Sequence, residues 1–157
     1  MKLCDFVVQD AIVANLEATD RNGVIRALVE SLAAAKALAD EDVDTIAKAA
    51  ILRENQGSTG FGKGVAVPHV KHVKVPKIMA AIGRSAAGVD FSALDRAPVY
   101  TIVLLLSPPD APDGHLQAME NIFRHLQRDN FRKFLRQAET RESIIDLLKE
   151  ADEMSAG

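Results

Sequence analysis

The chemistry-bearing residues of this chain gather around one glycine-rich stretch. Arg53-Glu54 is followed by Gly57-Ser58-Thr59-Gly60-Phe61-Gly62-Lys63-Gly64, then by Val65-Ala66-Val67-Pro68-His69. A second histidine, His115, lies far along the chain in Asp113-Gly114-His115-Leu116. A neutral imidazole carries an unshared pair near pH 7, because its ordinary pKa is about 6.5. Such a ring can attack a phosphoryl group in line and hold it as a labile N–P bond. The site then needs donors and a cation around the phosphoryl oxygens. The loop offers the amides and hydroxyls of Ser58 and Thr59 and the amide of Gly60. Arg53 offers a bidentate guanidinium.

The same loop contains a near-match to the phosphate-binding pattern G-x-x-x-x-G-K-[ST]. Gly57 to Lys63 fit the first seven positions, but the eighth is Gly64, so the magnesium-holding hydroxyl is missing. The order of elements also argues against nucleotide binding. A helix precedes this loop and a strand follows it, so no helix N-terminus is offered to phosphates. Two plainer readings remain: a flexible helix-to-strand turn, or a loop of amides beside a reactive side chain.

Four histidines are present: His69, His72, His115 and His125. A lone histidine is more often a surface or core group than a reacting one. His72 and His125 carry no further signal and stay with that reading. His69-x-x-His72 lacks a cysteine or acidic partner at a recognised metal-ligand spacing, so no metal site is expected. His69 sits where Val65-Ala66-Val67-Pro68 ends, and His115 follows a buried strand. Reacting groups are common at strand ends in α/β sheets, and the two rings could meet at one sheet edge.

The elements that must position these groups can be read from periodicity. Val24, Ile25, Leu28, Val29 and Leu32 mark one helix face, with Thr19 or Asp20 as the cap. Before it, Ala11 to Leu16 is a strand candidate. Val43, Ile46, Ala47, Ala50 and Ile51 mark a second helix that should stop near Asn55. The middle of the chain reads as strands at Val65–Val67, Ile78–Ile82 and Val99–Leu106. The last is nearly continuous in apolar residues, as a strand buried on both faces should be. Pro108, Pro109 and Pro112 then break the chain. Three helical stripes follow: Leu116, Met119, Ile122, Phe123 and Leu126; Phe131, Phe134, Leu135 and Ala138; and Ile144, Ile145, Leu147 and Leu148, with Thr140 as a cap. The tail from residue 152 to 157 is expected to fray. No repeat or linker interrupts the chain. The reading is one α/β domain over residues 1–157, a central sheet covered by helices.

Length, charge and composition exclude several classes. The 157 residues suit one domain, and 48% hydrophobic with 26% charged residues suits a folded core. A net charge of −3 argues against a general nucleic-acid binder. The single cysteine, Cys4, excludes an internal disulfide and a cysteine zinc cluster. A spanning helix needs about 20 apolar residues, and the run at Val99–Leu106 is far shorter. The N-terminus reaches acidic residues at once and lacks a signal-peptide core, so the expected address is cytoplasmic.

Taken together, Arg53-Glu54, Gly57-Ser58-Thr59-Gly60-Phe61-Gly62 and Gly64-Val65-Ala66-Val67-Pro68-His69 resemble one family. It is the enzyme IIA domain of the bacterial sugar phosphotransferase system, of the fructose/mannitol type, which includes a nitrogen-related branch. The resemblance continues through Gly88-Val89-Asp90-Phe91, Leu94-Asp95, Pro98-Val99, Leu104-Leu105-Leu106 and His115-Leu116, nearly the whole chain. It implies a mixed sheet flanked by helices on both faces. It places the phosphorylated histidine at His69, the supporting histidine at His115 and the active-site arginine at Arg53.

The implied activity is that of a phosphotransferase with a phosphohistidine intermediate. The donor would be phospho-HPr or its nitrogen-related paralogue. The acceptor would be a IIB domain or, in the nitrogen-related branch, regulatory target proteins would bind instead. No cofactor or metal is implied, because HPr rather than ATP is the donor. The chain shows no IIB reactive-cysteine segment and no membrane portion, which favours the free-standing nitrogen-related branch. The alternative is a regulatory module whose binding depends on phosphorylation, without onward transfer. Three features depart from the family pattern: Lys63 in the loop, Phe61 where an aliphatic residue is common, and the three prolines and two acids between Ser107 and Asp113.

Overall fold

The apolar run at Val99–Leu106 has no polar face to turn toward water, so it can only lie between two layers of helices. In the computed structural model, which describes residues 1–156, it does so. The chain runs α1 (Leu3–Phe6), β1 (Val7–Val13), α2 (Arg21–Ala34), a 3₁₀ turn (Asp40–Asp42), α3 (Val43–Gln56), β2 (Gly60–Gly62) and β3 (Val65–Ala66). It continues through β4 (His69–Lys71), β5 (Met79–Val89), β6 (Val99–Ser107), α4 (Pro112–Leu126), α5 (Asp129–Gln137) and α6 (Arg141–Ala156).

The strand order is β1-β5-β6-β3-β2, and β4 also pairs with β6. The sheet is mixed. β1 lies parallel to β5 and β3 parallel to β6, while the β5–β6 and β2–β3 pairs are antiparallel. Successive β6 side chains feed opposite cores. Ile102, Leu104 and Leu106 join the layer of α2 and α3; Val103 and Leu105 join the layer of α1, α4, α5 and α6. This two-sided burial is why the strand reads as a continuous apolar run. The fold class expected from the sequence is the one observed.

One edge of β6 positions the chemistry. Val65 pairs with Thr101, and His69 pairs with Leu105, in the same register. β3 and β4 are therefore one parallel run interrupted at Val67-Pro68. Pro68 has no N–H to donate, so the ladder cannot be continuous there. Its carbonyl still accepts from Leu105 N–H at 3.0 Å. His69 thus opens a short strand rather than ending one.

Several helix expectations hold. Val24, Ile25, Leu28, Val29 and Leu32 are all buried, and Asp20 caps α2 through Gly23 N–H. Thr140 accepts from Ser143 N–H ahead of α6. Other expectations shift. The first strand covers Val7–Val13 instead of residues 11–16, and β5 extends to Val89. In α4 the buried stripe is His115, Ala118, Ile122 and Leu126, while Leu116 stays 58% exposed. Phe134 is likewise exposed.

α6 runs on to Ala156, past residue 152, where the sequence leads one to expect the tail to begin fraying. The buried Asp152 carboxylate accepts Leu3 N–H at 2.7 Å and Cys4 N–H at 3.0 Å, anchoring the helix to the start of the chain. Gly157 lies outside the described residues.

Candidate functional site

The loop between β6 and α4 sets the first histidine. Pro112 occupies the first turn of α4, where its missing N–H costs nothing. His115 then falls one turn in, with its N–H on the Ala111 carbonyl at 3.0 Å. The ring is 9% exposed, and its Nδ1 lies 2.7 Å from Ser107 Oγ at the end of β6. Burial, aided by the neighbouring His69 and Lys71, holds its pKa down at about 4. His115 is therefore neutral at physiological pH.

His69 stands opposite on β4. The two rings are 5.7 Å apart between centroids and tilted by 52°. His69 is half-buried, and its Nδ1 lies 2.8 Å from the Val67 carbonyl oxygen. A carbonyl can only accept, so Nδ1 carries the ring proton and Nε2 carries the lone pair. The interruption at Val67-Pro68 thus also fixes the tautomer. The hydrogen bond from His72 N–H to the Ser107 carbonyl, 3.0 Å, ties the end of β4 to the end of β6.

The structure therefore brings His69 and His115 together, as expected. Arg53 sits in the last turn of α3, a helix packed against β4. Its only side-chain hydrogen bond among the described residues runs from Nη1 to the Gly57 carbonyl, at a long 3.4 Å. The glycine loop behaves differently from the sequence expectation of free donors. Thr59 gives both its N–H and its hydroxyl to the Glu54 carboxyl, at 2.7 and 2.8 Å. Ser58 donates to the Phe91 carbonyl and accepts from Gly60 N–H. These polar groups order the loop from within.

Glu54 is the residue that sequence reading missed. It looks like the solvated end of a helix, yet it is 1% exposed. The available signal was Thr59 in the loop five residues ahead, whose N–H and hydroxyl supply the two donors a buried carboxyl requires.

The other nucleophilic candidates fall away on geometry. His72 Nδ1 accepts from Lys74 N–H. His125 is buried against Phe131, with rings 5.7 Å apart, and burial lowers its pKa. Cys4 is half-buried, and burial beside Asp152 pushes its thiol up to about 11, so it holds little thiolate. Phe61 packs on Phe123 with ring centroids 5.0 Å apart, which accounts for an aromatic residue in the loop. Among the described residues, no helix is long and apolar enough to cross a membrane.

Comparison with known proteins converges on one family. Residues 5–151 match the family model described as phosphoenolpyruvate-dependent sugar phosphotransferase system, EIIA 2. A fructose-specific EIIABC component of Bacillus subtilis (strain 168) is 35% identical over 153 residues, covering 97% of this chain. This chain spans only 24% of that longer relative. A nitrogen regulatory protein of Pseudomonas aeruginosa is 38% identical over 114 residues, 73% of this chain and 74% of the relative. Among solved structures, the nitrogen regulatory protein IIA-Ntr of Neisseria meningitidis superposes with a TM-score of 0.81 at 28% identity. It covers 92% of this chain and 97% of its own.

Proposed function

Because this chain belongs to the phosphotransferase-system EIIA 2 family, we propose that His69 is its phosphoryl acceptor and that HPr, or the nitrogen-related paralogue of HPr, is the donor. The observation that carries this reading is the tautomer of His69. With Nδ1–H held by Val67, Nε2 presents its lone pair beside His115.

In the transfer, the Nε2 lone pair attacks the phosphorus of the donor's phosphohistidine. The donor N–P bond breaks and returns its electron pair to the donor imidazole. A new Nε2–P bond forms on His69, and the Nδ1 proton stays on the Val67 hydrogen bond. No proton need leave the site. His115, held at Nδ1 by Ser107, turns Nε2–H toward the phosphoryl oxygens as a neutral donor. The arriving dianion then favours protonation of His115, which stabilises the product further. Arg53, with one long hydrogen bond to give up, supplies the guanidinium. Ser58, Thr59 and Gly60 form the loop wall, locked by Glu54.

Exposed apolar side chains neighbour these groups in the chain. Leu116 follows His115, Val73 follows His72, and Leu52 precedes Arg53. Leu94 is bonded through its N–H to the Gly60 carbonyl at 2.8 Å. These exposed apolar side chains near the site offer surface on which a donor or acceptor can dock and exclude water from the N–P bond. Phosphorylation adds about −1.5 to −2 charges to this face, so the same group can relay phosphate to a IIB domain or switch the binding of target proteins. The likeness to IIA-Ntr and to the Pseudomonas nitrogen regulatory protein supports the nitrogen-related branch and its regulatory use. Both uses place the protein in the cytoplasm.

Incubation with phosphoenolpyruvate, enzyme I and HPr, read by intact mass with and without acid, tests the proposal. One acid-labile phosphoryl group, absent in His69→Ala, is the expected result. Equal loss in His69→Ala and His72→Ala would sink the assignment of His69. Pull-downs with both phosphorylation states then separate relay from switch: partner sets that do not change with phosphorylation count against the switch.

A further inference from the structure

We propose that a second site, a pocket at the opposite end of β6, binds small phosphorylated metabolites. The cavity measures about 640 Å³, within the usual range for a small-molecule pocket. The end of β6, the hairpin between β2 and β3, and α5 enclose it. Its walls carry five cations, Lys63, Arg84, Arg132, Lys133 and Arg136, against two carboxylates, Asp129 and Glu139. The whole chain carries a net charge of −3, so this positive excess is local. Thr101 lies in this wall and Leu105 pairs with His69, four residues farther along β6. At the rise of a strand, this is a separation of about 13 Å.

Arg84 makes the pocket more than a basic patch. It lies on β5, paired with Thr101, and is 7% exposed. Its Nε donates to the Arg136 carbonyl at 2.7 Å, near the end of α5. Its Nη1 donates to the Ala14 carbonyl at 3.2 Å and to Asn15 Oδ1 at 3.3 Å. Nη2 has no hydrogen bond, and no carboxylate pairs with the guanidinium among the described residues. Its three protein acceptors are all neutral, so an anion in the cavity would be the first opposite charge the guanidinium meets.

Two neighbours are also set for such a ligand. The Arg136 guanidinium carbon lies over Tyr100, 3.5 Å from the ring centroid, a cation–π contact that restrains the group. Lys63 sits in the two-residue turn between β2 and β3 at φ 62°, followed by Gly64 at φ 78°. This is the pattern of a type I′ hairpin turn, where asparagine and glycine are the favoured residues. A lysine tolerated there projects a cation into the pocket at a backbone cost. Arg132 pairs with Asp129 and completes the rim with Lys133. The unbonded Nη2 of Arg84 and the restrained guanidinium of Arg136 suit the oxygens of a phosphomonoester, and the volume leaves room for the carbon skeleton. This site does not depend on the role of His69.

The test is calorimetric titration of the intact protein with glucose 6-phosphate, AMP, inorganic phosphate and neutral glucose. The organic phosphates should bind, glucose should not, and inorganic phosphate should bind more weakly than either ester. The double variant Lys63→Asn, Lys133→Gln should weaken ester binding about tenfold or more. Both positions are exposed, and asparagine suits the turn, so the fold is kept. His69→Ala should leave ester binding unchanged. No binding up to about 10 mM ester, the weak limit of a useful site, overturns the proposal. So does ester binding that the double variant leaves intact or that His69→Ala removes, since the ligand would then sit at the histidines.

Discussion

The two ends of β6 are built for opposite electrostatic tasks. At the end of Leu105–Ser107, His69 and His115 face each other, and both rings have one nitrogen fixed by a neutral acceptor or hydroxyl. Burial keeps His115 uncharged. At the end of Tyr100–Thr101, charge is concentrated, and the buried Arg84 guanidinium has no carboxylate partner among the described residues. As the proposed phosphoryl acceptor, the His69 end has to release the group it takes, and a fixed positive cluster of that size would oppose release. A resting site for an anion has the reverse need. One strand can carry both because its middle, Ile102 to Leu104, is fully enclosed by the two helix layers and separates the ends.

The comparison can be broken most severely at His69. His69→Ala should abolish phosphoryl uptake from phospho-HPr while leaving metabolite binding at the basic end unaffected, as read by intact mass and by calorimetry. The next largest effect belongs to the basic end: the Lys63→Asn, Lys133→Gln double variant should lose about tenfold or more in ester affinity while accepting phosphate at the native rate. A variant that disturbs both readouts would show that the two ends are coupled.

Glu54 sharpens the comparison at the first end. Glu54→Ala leaves the half-buried Thr59 N–H and hydroxyl without their partner and should cost about 1–3 kcal/mol in chemical unfolding. It should also slow phosphoryl uptake while ester binding stays native, because only the loop by the histidines is loosened. Retained stability and rate together would remove the loop-locking role.

His115 also gives the histidine end a pH dependence. The folded pKa of His115 lies at about 4, below the ordinary 6.5, so between these values the unfolded chain binds more protons than the folded one. The stability this contributes is present above about pH 6.5 and is lost as pH falls toward 4. His125, also lowered by burial, adds in the same direction. Thermal melts across this window should therefore fall less steeply in His115→Gln than in the native protein. In NMR titrations, phosphorylation of His69 should raise the His115 pKa; a value that stays near 4 would remove His115 from contact with the phosphoryl group.

Much of this molecule is written in local pattern. The run at Val99–Leu106 can only be a strand with two dry faces, and the spacing of Val24 to Leu32 can only be one helix stripe. Pro68 before His69, and the four glycines from Gly57 to Gly64, mark a sheet edge beside a turn without any coordinates. These features depend on near neighbours, and near neighbours are what a sequence displays. Tertiary structure decided how α4 is rotated. The stripe through Leu116 and Met119 and the stripe through His115 and Ala118 are one residue apart, about 100° on the helix. Hydropathy favours the first. The second is buried because Pro112 fixes where the helix starts and Ser107 provides a partner for the His115 ring. Glu54 and Arg84 follow the same rule. A charged side chain is read as solvated until the fold brings it donors or acceptors from elsewhere: from Thr59 for Glu54, and from Ala14, Asn15 and Arg136 for Arg84. For Glu54 the partner is only five residues on, but its geometry depends on how the loop folds back; for Arg84 the partners are distant in sequence, and only the assembled sheet and helices bring them together.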